Sequence, residues 1–387
     1  MIPALPFRCI VNPHQGTPGL VVLTTSGFRR ARAEITGWPG YAPTPLHDLP
    51  DLARRAGVGA VRVKDEAGRF GLGSFKALGG AYAVAQALLA GLARHGDAAH
   101  ATTADLVAGR FAATTRAMTV ACATDGNHGR SVAWGAQRFG AACCVFVHAT
   151  VSQARVDAIA RYGAEVRRVP GAYDDAVRAA TAEAARCGWF LVSDTSWPGY
   201  TEVPRDVMQG YRLMADEALD QWDGAAPTHI FIQGGVGGVA AAVSVHARNR
   251  LRPAPQLIVV EPDRAACLLA SAEAGALTAV GGALDTVMAG LACGEPSLIA
   301  WQELERSAAA FMAIPDPAAI AAMRLLAAAG IVSGESGAAG LAGLLLAAAG
   351  PVSRAALGLS ESSRVLLFST EGATDPAQYA ALAGTPE

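Results

Sequence analysis

The stretch HIFIQGGVGGVA, residues 229–240, is the clearest sign of the fold class, because it joins a strand, a glycine turn and a helix without a spacer. Residues 229–233 are mostly apolar and predict a buried strand, and the helix that follows extends to about Arg248. The glycines of the turn let the backbone approach a ligand closely. Backbone N–H groups at a helix N-terminus bind anions, so the turn predicts a phosphate site.

The same alternation of short apolar runs and longer helical runs continues in both directions along the chain. Strands are predicted at residues 61–63, 143–147, 165–169, 189–192, 257–260 and 365–368. Helices are predicted at residues 76–93, 153–162, 174–187 and 203–222. This alternation indicates an α/β fold with parallel sheets covered on both faces. Ligands bind beyond the carboxyl ends of such strands, so the residues after each strand are the candidate site residues.

Composition narrows the classes of function. The 387 residues are 52% hydrophobic and 17% charged, which excludes wholesale disorder. A net charge of −2 argues against nucleic acid or an anionic membrane surface as the main partner. The seven cysteines form no C-x-x-C pair, so no metal site is predicted, and they fit a reducing, cytoplasmic location. A secretory signal is not expected, and the apolar residues 336–353 predict a buried helix rather than a membrane span.

A second glycine-rich segment, FGLGSFKALGG at residues 70–80, leads into a helix whose first turn contains Lys76. The helix N-terminus already carries partial positive charge, so a purely structural lysine is unusual there. That charge and the aromatic ring of Phe75 predict an amine that is more nucleophilic than that of a surface lysine. A solvated lysine at the start of a helix is the alternative.

A third segment, ATDGNHGR at residues 123–130, follows an apolar run and again leads into a helix. Asn127 can donate a hydrogen bond to a phenolic oxygen, and the helix N-terminus can bind a carboxylate or a phosphate. Asp125 is unexpected, because an acid beside an anion site is repulsive unless a cation binds there as well. An ordinary helix-capping aspartate is the alternative, and His128 by itself is typical of a packed core histidine.

Two shorter segments place hydroxyl and acid groups at predicted strand ends. Asp194 lies in residues 192–197, directly after a strand. Ser369 and Thr370 follow the last predicted strand in the same way. Both segments therefore belong to the candidate site.

The glycine turn taken alone also fits a different class of enzyme. Residues 235–240, GVGGVA, match the pattern G-x-G-x-x-A, and Glu261 follows the next strand about 20 residues on. These features are typical of a dinucleotide site, so an NAD-dependent oxidoreductase is a remote alternative. That interpretation leaves Lys76, the Asn127 segment and the Ser369 segment without a function.

In their order along the chain, these segments resemble those of the fold type II family of pyridoxal-phosphate enzymes, which includes tryptophan synthase β and threonine dehydratase. Within it the sequence is most similar to the ammonia-lyases that act on diaminopropionate. The similar segments are residues 70–72, 75–80, 124–130, 173–176, 208–211, 260–262, 288–296 (MAGLACGEP) and 333–337. Gly73 and Ser74, where the group usually has Asn and Ala, and Pro198, where an acid is expected, depart from its pattern.

The resemblance implies a tryptophan synthase β-like fold of two three-layer α/β/α domains with mainly parallel sheets. Residues 1–80 plus 200–387 would form the large domain that binds the cofactor phosphate, and residues 81–199 the small domain that carries the Asn127 segment. It also implies a homodimer. Cys267 and Cys293 lie in two of the similar segments and are expected either to form a bridge or to be two buried thiols.

The resemblance implies pyridoxal 5′-phosphate as the cofactor and assigns residues to it. Lys76 would hold the cofactor as an aldimine and act as base on the substrate's α-proton, and Asn127 would hydrogen-bond the cofactor's O3′. Ser369 or Thr370 would face the pyridine nitrogen, because a hydroxyl suits an uncharged nitrogen. The phosphate would be held by the backbone N–H groups of Gly234, Gly235, Val236, Gly237 and Gly238.

The implied reaction is the α,β-elimination of 2,3-diaminopropionate to pyruvate and two ammonia. Asp125 would attract the β-ammonium group, move its proton and serve as a second catalytic acid or base. Bases on opposite faces of the substrate would then allow both D and L isomers to react. The substrate side would be formed by Asp125, Asp194, Thr124 and Tyr173. A serine or threonine dehydratase of the same fold is the alternative.

Overall fold

The computed structural model describes residues 5–94, 100–124, 126–171 and 173–384. The chain divides into two compact units. The first unit comprises Met1–Val22, Pro43–Ser74 and Met214–Glu387, and the second comprises Leu23–Ala42 and Phe75–Leu213. The expected domain boundaries at 80/81 and 199/200 stay a prediction, and the compact units assign residues 23–42, 75–80 and 200–213 to the second unit.

Strands and helices alternate over most of the chain. The strands are β1 (Arg8–Val11), β2 (Leu46–Asp48), β3 (Ala60–Asp65), β4 (Thr119–Thr124), β5 (Ala142–His148), β6 (Glu165–Val169), β7 (Phe190–Leu191), β8 (His229–Gln233), β9 (Gln256–Pro262), β10 (Ala310–Ile314) and β11 (Arg364–Ser369). The helices are α1 (Thr25–Thr36), α2 (Pro50–Ala56), α3 (Lys76–Ala93), α4 (Thr103–Val107), α5 (Ala112–Thr115), α6 (Asn127–Phe139), α7 (Gln153–Ala160), α8 (Tyr173–Cys187), α9 (Glu202–Asp220), α10 (Gly238–Arg250), α11 (Cys267–Ala274), α12 (Leu298–Ser307), α13 (Asp316–Ala327), α14 (Ala339–Ala349), α15 (Pro351–Ala356) and α16 (Pro376–Ala383). Short 3₁₀ turns lie at Arg69–Gly71 and Ala289–Leu291.

The first unit is built on a seven-stranded sheet in the order β1-β10-β9-β8-β11-β3-β2. Its five central strands are parallel, and the two edge strands pair antiparallel. Ile230 in β8 lies between Leu257 of β9 and Leu366 of β11. Every residue of β8 and β10 is buried, as expected for central strands covered by helices on both faces. This parallel arrangement brings the residues after β8, β9 and β11 to one edge of the sheet.

The second unit is built on four parallel strands in the order β6-β5-β4-β7. Helices α3 and α6 pack closely in this unit, and glycines make the approach possible. A Cβ atom on Gly135 of α6 would lie 2.8 Å from the Cα atom of Ala81 in α3. A Cβ atom on Gly80 of α3 would lie 1.9 Å from the Ser131 hydroxyl of α6. The two helices that begin with Lys76 and Asn127 are therefore held together as one packed pair.

Two apolar segments raise the question of a membrane span. Among the described helices, α3 is long and apolar enough to cross a membrane, but 72% of it is buried inside the protein. Such burial is typical of a core helix. The apolar segment 336–353 contains the 11-residue helix α14, which is also largely buried. Both helices therefore contribute to the protein core.

Candidate active site

Lys76 is the first residue of α3, and its amine is enclosed on several sides. The Nζ atom lies 2.5 Å from Oδ2 of Asp194, and the side chain is 20% exposed. The amine also lies 5.5 Å from the centre of the Phe75 ring and 5.8 Å from that of Tyr211. Lys76 is therefore a paired, mostly enclosed amine rather than a solvated surface lysine.

The Tyr211 ring reaches Lys76 because two glycines let α9 approach α3. A Cβ atom on Gly79 would lie 2.4 Å from Cε1 of Tyr211, and one on Gly210 would lie 2.1 Å from the carbonyl oxygen of Leu78. The Tyr211 ring packs on Phe75 with a centroid distance of 4.5 Å. Tyr211 is not among the site residues predicted from the sequence. A glycine inside each helix, Gly79 in α3 and Gly210 in α9, is the signal that could have indicated this contact.

Asp194 follows β7 and is buried beside the side chains of Lys76 and His128. Its Oδ2 atom contacts Lys76 and lies 3.8 Å from Nδ1 of His128. Burial alone would raise the pKa of the Asp194 carboxyl, but His128 and Lys76 outweigh burial and hold that pKa well below its ordinary value. The carboxylate is therefore ionised at neutral pH. The sequence predicts Asp194 near the substrate's amino end, and the structure places it on the Lys76 amine.

His128 connects α6 to the strand that precedes Asp194. It is buried, and its Nε2 atom lies 2.8 Å from the carbonyl oxygen of Val192. A carbonyl oxygen can only accept, so Nε2 carries a proton and Nδ1 faces Asp194. His128 is therefore packed in the core, as expected from the sequence. His128 also faces a charged site residue from another segment of the chain.

The segment that carries Asp194 is held by Tyr200. The Tyr200 hydroxyl donates to the carbonyl oxygen of Leu191 at 2.8 Å and accepts from the Ser193 N–H at 3.1 Å. Its ring stacks on Trp197 with a centroid distance of 4.4 Å. These contacts fix the backbone on both sides of Val192 and so limit where the Asp194 carboxylate can lie.

The Asn127 segment is shaped by a buried hydroxyl. The Thr124 hydroxyl accepts hydrogen bonds from the N–H groups of Gly126 at 2.9 Å and Gly129 at 3.0 Å. Asn127 begins α6, and its Oδ1 atom accepts from Nη2 of Arg130 at 2.7 Å. Asp125 lies outside the described residues, so its predicted role is not addressed by the structure.

Tyr173, another predicted substrate-side residue, begins α8 in the second unit. Its side chain is half-buried. Its role on the substrate side stays a prediction.

In the first unit, the glycine turn joins β8 to the 13-residue helix α10. Gly237 adopts a φ of +98°, and a Cβ atom there would lie 3.2 Å from the side chains of Ala300, Leu268 and Leu304. The first N–H groups of a helix have no partner within the helix. The N-terminus of α10 therefore fits a phosphate group.

Gly234 differs from the rest of the turn. Its N–H donates to the carbonyl oxygen of Val260 at 2.9 Å, as part of the sheet. That donor is committed to the fold and cannot also bind a phosphate. Of the N–H groups predicted to bind the phosphate, those of residues 235–238 remain as candidates.

Ser369 and Thr370 are both buried at the end of β11. The Ser369 hydroxyl donates to the Ser333 hydroxyl at 2.9 Å, and the Thr370 hydroxyl accepts from Nε2 of Gln233 at 2.5 Å. Gln233 thereby ties the end of β11 to the end of β8. Both hydroxyls stay candidates for the partner of a pyridine nitrogen.

Two residues near the glycine turn bear on the alternatives that the sequence left open. Glu261 is fully buried, and its two carboxylate oxygens accept from the N–H groups of Leu268 and Leu269, each at 2.7 Å. Glu261 therefore anchors the start of α11. Its carboxylate is already bonded there and does not serve as the acid that binds the ribose in a dinucleotide site. Cys267 and Cys293 do not form the bridge that the sequence left open; Cys267 is buried and Cys293 is half-buried.

The sequence contains only two lysines, Lys64 and Lys76. Lys64 is 0% exposed, and its Nζ atom lies 2.7 Å from Oε2 of Glu217. It also donates to the carbonyl oxygen of Thr44 at 2.6 Å and to Oε1 of Gln221 at 2.9 Å. Its three donors are thus all in use within the first unit. Any chemistry that requires an accessible lysine amine has Lys76 as its candidate.

Comparisons with known proteins place the chain beside one group of enzymes. The profile of a family described as pyridoxal-phosphate dependent enzyme matches residues 38–370. The diaminopropionate ammonia-lyase of Escherichia coli (strain K12) is 42% identical over 356 residues, which cover 88% of this chain and 87% of that protein. The crystal structure of that Escherichia coli enzyme in its holo form superposes with a TM-score of 0.90 at 38% identity, over 99% of this chain and 98% of the other.

A second crystal structure shows the Escherichia coli enzyme in complex with an aminoacrylate-PLP azomethine reaction intermediate. It superposes with a TM-score of 0.88 at 38% identity, over 98% of this chain and 97% of the other. These similarities extend over nearly the whole chain. They confirm the predicted α/β fold and its predicted type.

Proposed function

The chain belongs to the family of pyridoxal-phosphate-dependent enzymes, and we propose that it converts 2,3-diaminopropionate to pyruvate and two ammonia. The cofactor predicted from the sequence is confirmed by the family match and by the holo structure of the Escherichia coli relative. One observation carries the assignment of the reactive residue. The sequence has two lysines, and of these Lys76 is partly exposed whereas Lys64 is enclosed in an ion cluster.

The residues that would hold the cofactor are Lys76, Asn127, the glycine turn and a hydroxyl at the end of β11. The N–H groups of residues 235–238 would bind the phosphate, because they lie at the positive end of α10. Asn127 would donate to O3′, and Ser369 or Thr370 would contact the pyridine nitrogen. When bound, the cofactor supplies a ring that withdraws electrons and makes the substrate's α-proton acidic.

Lys76 is proposed to remove that α-proton. Its amine would accept the proton at Nζ and gain a positive charge, which the ionised Asp194 carboxylate offsets at 2.5 Å. The Phe75 and Tyr211 rings limit the access of water to this amine. Asp194 thus keeps Lys76 in place and stabilises its protonated form.

Asp125 is proposed to act on the substrate's β-nitrogen. A β-ammonium group is a cation, and a carboxylate attracts it and can take up or return its proton as ammonia leaves. The same carboxylate would act as the base for one of the two isomers of the substrate. Thr124 and Tyr173 are proposed as further substrate contacts. We also propose a homodimer in the cytoplasm.

A serine or threonine dehydratase is the second candidate, and Ser74, which stands directly before Phe75 and Lys76 as in the dehydratases, favours it. The two candidates differ in the leaving group, which is an amine in one and a hydroxyl in the other. The two candidates are separated by measuring pyruvate release from D-diaminopropionate, L-diaminopropionate and L-serine. Release of 2-oxobutyrate measures the turnover of L-threonine. Faster turnover of diaminopropionate is expected, and faster turnover of L-serine or L-threonine would favour the dehydratase.

A further inference from the structure

Arg130 lies one helical turn after Asn127, on the same face of α6. Its Nη2 atom lies 2.7 Å from the side-chain oxygen of Asn127, and both side chains are half-buried. Residues at positions i and i+3 of a helix are neighbours on its surface, so this contact follows from the helix itself. A guanidinium group is charged at all physiological pH values, so the hydrogen bond is charge-assisted and short.

The contact decides which end of the Asn127 amide faces Arg130. An asparagine side chain can present either its oxygen or its NH₂ group, and the two ends have nearly the same shape. A guanidinium can only donate, so Arg130 must face the oxygen. The NH₂ group is thereby turned away from Arg130 and is presented as a hydrogen-bond donor.

The backbone of the same segment is held by a different residue. The Thr124 hydroxyl accepts from the N–H groups of Gly126 and Gly129, and it is fully buried. The backbone on both sides of Asn127 is therefore held by hydrogen bonds that do not involve the Arg130 side chain. Loss of Arg130 is expected to release the orientation of the amide without moving the helix start.

We propose that Arg130 is a positioning residue that fixes Asn127 as a donor toward the cofactor's O3′. The inference rests on the proposed function, because it requires pyridoxal phosphate beside Asn127. A donor at O3′ favours the form of the cofactor in which that oxygen is unprotonated. In the absence of Arg130 the amide can rotate and present its own oxygen, which favours the protonated form.

The test compares the holoenzyme with Arg130→Met, which keeps the length of the side chain and removes its donors. The absorbance of the bound cofactor has a long-wavelength and a short-wavelength band. The ratio of the long-wavelength band to the short-wavelength band falls when O3′ is protonated. We expect Arg130→Met to lower this ratio and to weaken cofactor affinity roughly 2- to 10-fold. Arg130→Lys keeps a donor and a charge, and is expected to restore part of the ratio.

Arg186→Met is the matched control, because Arg186 also pairs with a residue three positions away on a helix of the same unit, Glu183. It is expected to leave the band ratio and the affinity unchanged. Thermal unfolding of the apoprotein tests for a structural role, and Arg130→Met is expected to unfold at the wild-type temperature. A fall in that temperature with an unchanged band ratio would contradict the proposal.

A double-mutant cycle tests whether Arg130 acts through Asn127. In the Asn127→Ala background, Arg130→Met is expected to have no further effect on the band ratio. An equal effect in both backgrounds would overturn the inference, as would a wild-type ratio in Arg130→Met. A wild-type chain that shows no cofactor bands at all would instead overturn the proposed function, and the inference with it.

Discussion

The two lysines of the chain occupy opposite environments. Lys64 is 0% exposed and meets Glu217, Thr44 and Gln221, which together use its three donors. Lys76 is 20% exposed, pairs with Asp194 and lies beside two aromatic rings. Burial lowers the pKa of the Lys64 ammonium, and Glu217 only partly offsets this effect.

The difference separates a lysine whose surroundings suit a structural role from one whose surroundings suit the proposed chemistry. Around Lys64, Arg69 bridges Glu66 and Glu217, so that the buried charges are compensated by one another. A group whose donors are all in use and which no solvent reaches cannot change partners. Lys76 pairs with Asp194 and keeps 20% of its side chain exposed, and an amine needs such exposure if a ligand is to reach it.

The largest effect is expected for Lys76→Ala. Turnover should fall by roughly 10³-fold or more, because both the covalent attachment and the base are lost. Pyruvate release per mole of folded protein is the measurement, and thermal unfolding checks that the fold is kept. Activity within tenfold of wild type would show that Lys76 is not the reactive lysine.

Lys64→Met is expected to act on stability instead. Removal of one partner from a buried ion cluster leaves Glu217 less compensated and should lower the free energy of unfolding by about 3–5 kcal/mol. Urea unfolding measures this change. Arg54→Ala, which removes an exposed ion pair with Asp51, is the control and should cost less than about 1 kcal/mol. Equal costs for the two variants would remove the distinction between the lysines.

Asp194→Asn tests the partner of the reactive lysine. The amide keeps the shape of the side chain but not the charge that offsets protonated Lys76. Turnover should therefore fall by about 10²-fold while the cofactor stays bound. Asp175→Asn, at an exposed pair with Arg178 in the same unit, is the control and should leave turnover unchanged. If Asp194→Asn lost bound cofactor to the same extent as it lost turnover, Asp194 would have a role in cofactor binding instead.

The smallest effect is expected for Glu34, a partly buried acid. Burial raises the pKa of Glu34 to about 7, against the lowering effects of Arg30 and Gln86. An acid whose pKa is higher when folded keeps a proton that the unfolded chain has lost, so stability falls as pH rises from about 4.5 to 7. In Glu34→Gln the decrease in Tm across that pH range should be smaller by about 1–3 °C. An unchanged slope would show that Glu34 does not contribute, and the exposed Glu202→Gln is the control.

Much of the fold could be predicted from the sequence, because it depends on local patterns. The helix Lys76–Ala93 and the strands Glu165–Val169 and His229–Gln233 begin and end as predicted. The sequence pattern does not predict β1, β2 or β10, and it shows β4 only as an apolar run. β1 and β2 are short edge strands with charged residues, and β10 lies in an alanine-rich stretch whose composition also suits a helix. Their pairing partners lie far away in sequence, where periodicity gives no signal.

The candidate site was predictable only in part, for the same reason. Lys76 and Asn127 stand at glycine-rich turns before helices and can be recognised there. The contacts of Lys76 with Tyr211 and of His128 with Val192 join residues 135 and 64 positions apart, and only the fold brings them together. Arg130 is different, since its spacing from Asn127 along one helix is itself a usable signal.

Covalent capture of the cofactor tests the central claim most directly. Holoenzyme treated with borohydride would be digested and its modified peptide identified by mass spectrometry, with only two lysine side chains to distinguish. We expect the cofactor on Lys76 and none on Lys64. Modification of Lys64, or no modified lysine in a chain saturated with pyridoxal phosphate, would contradict this expectation.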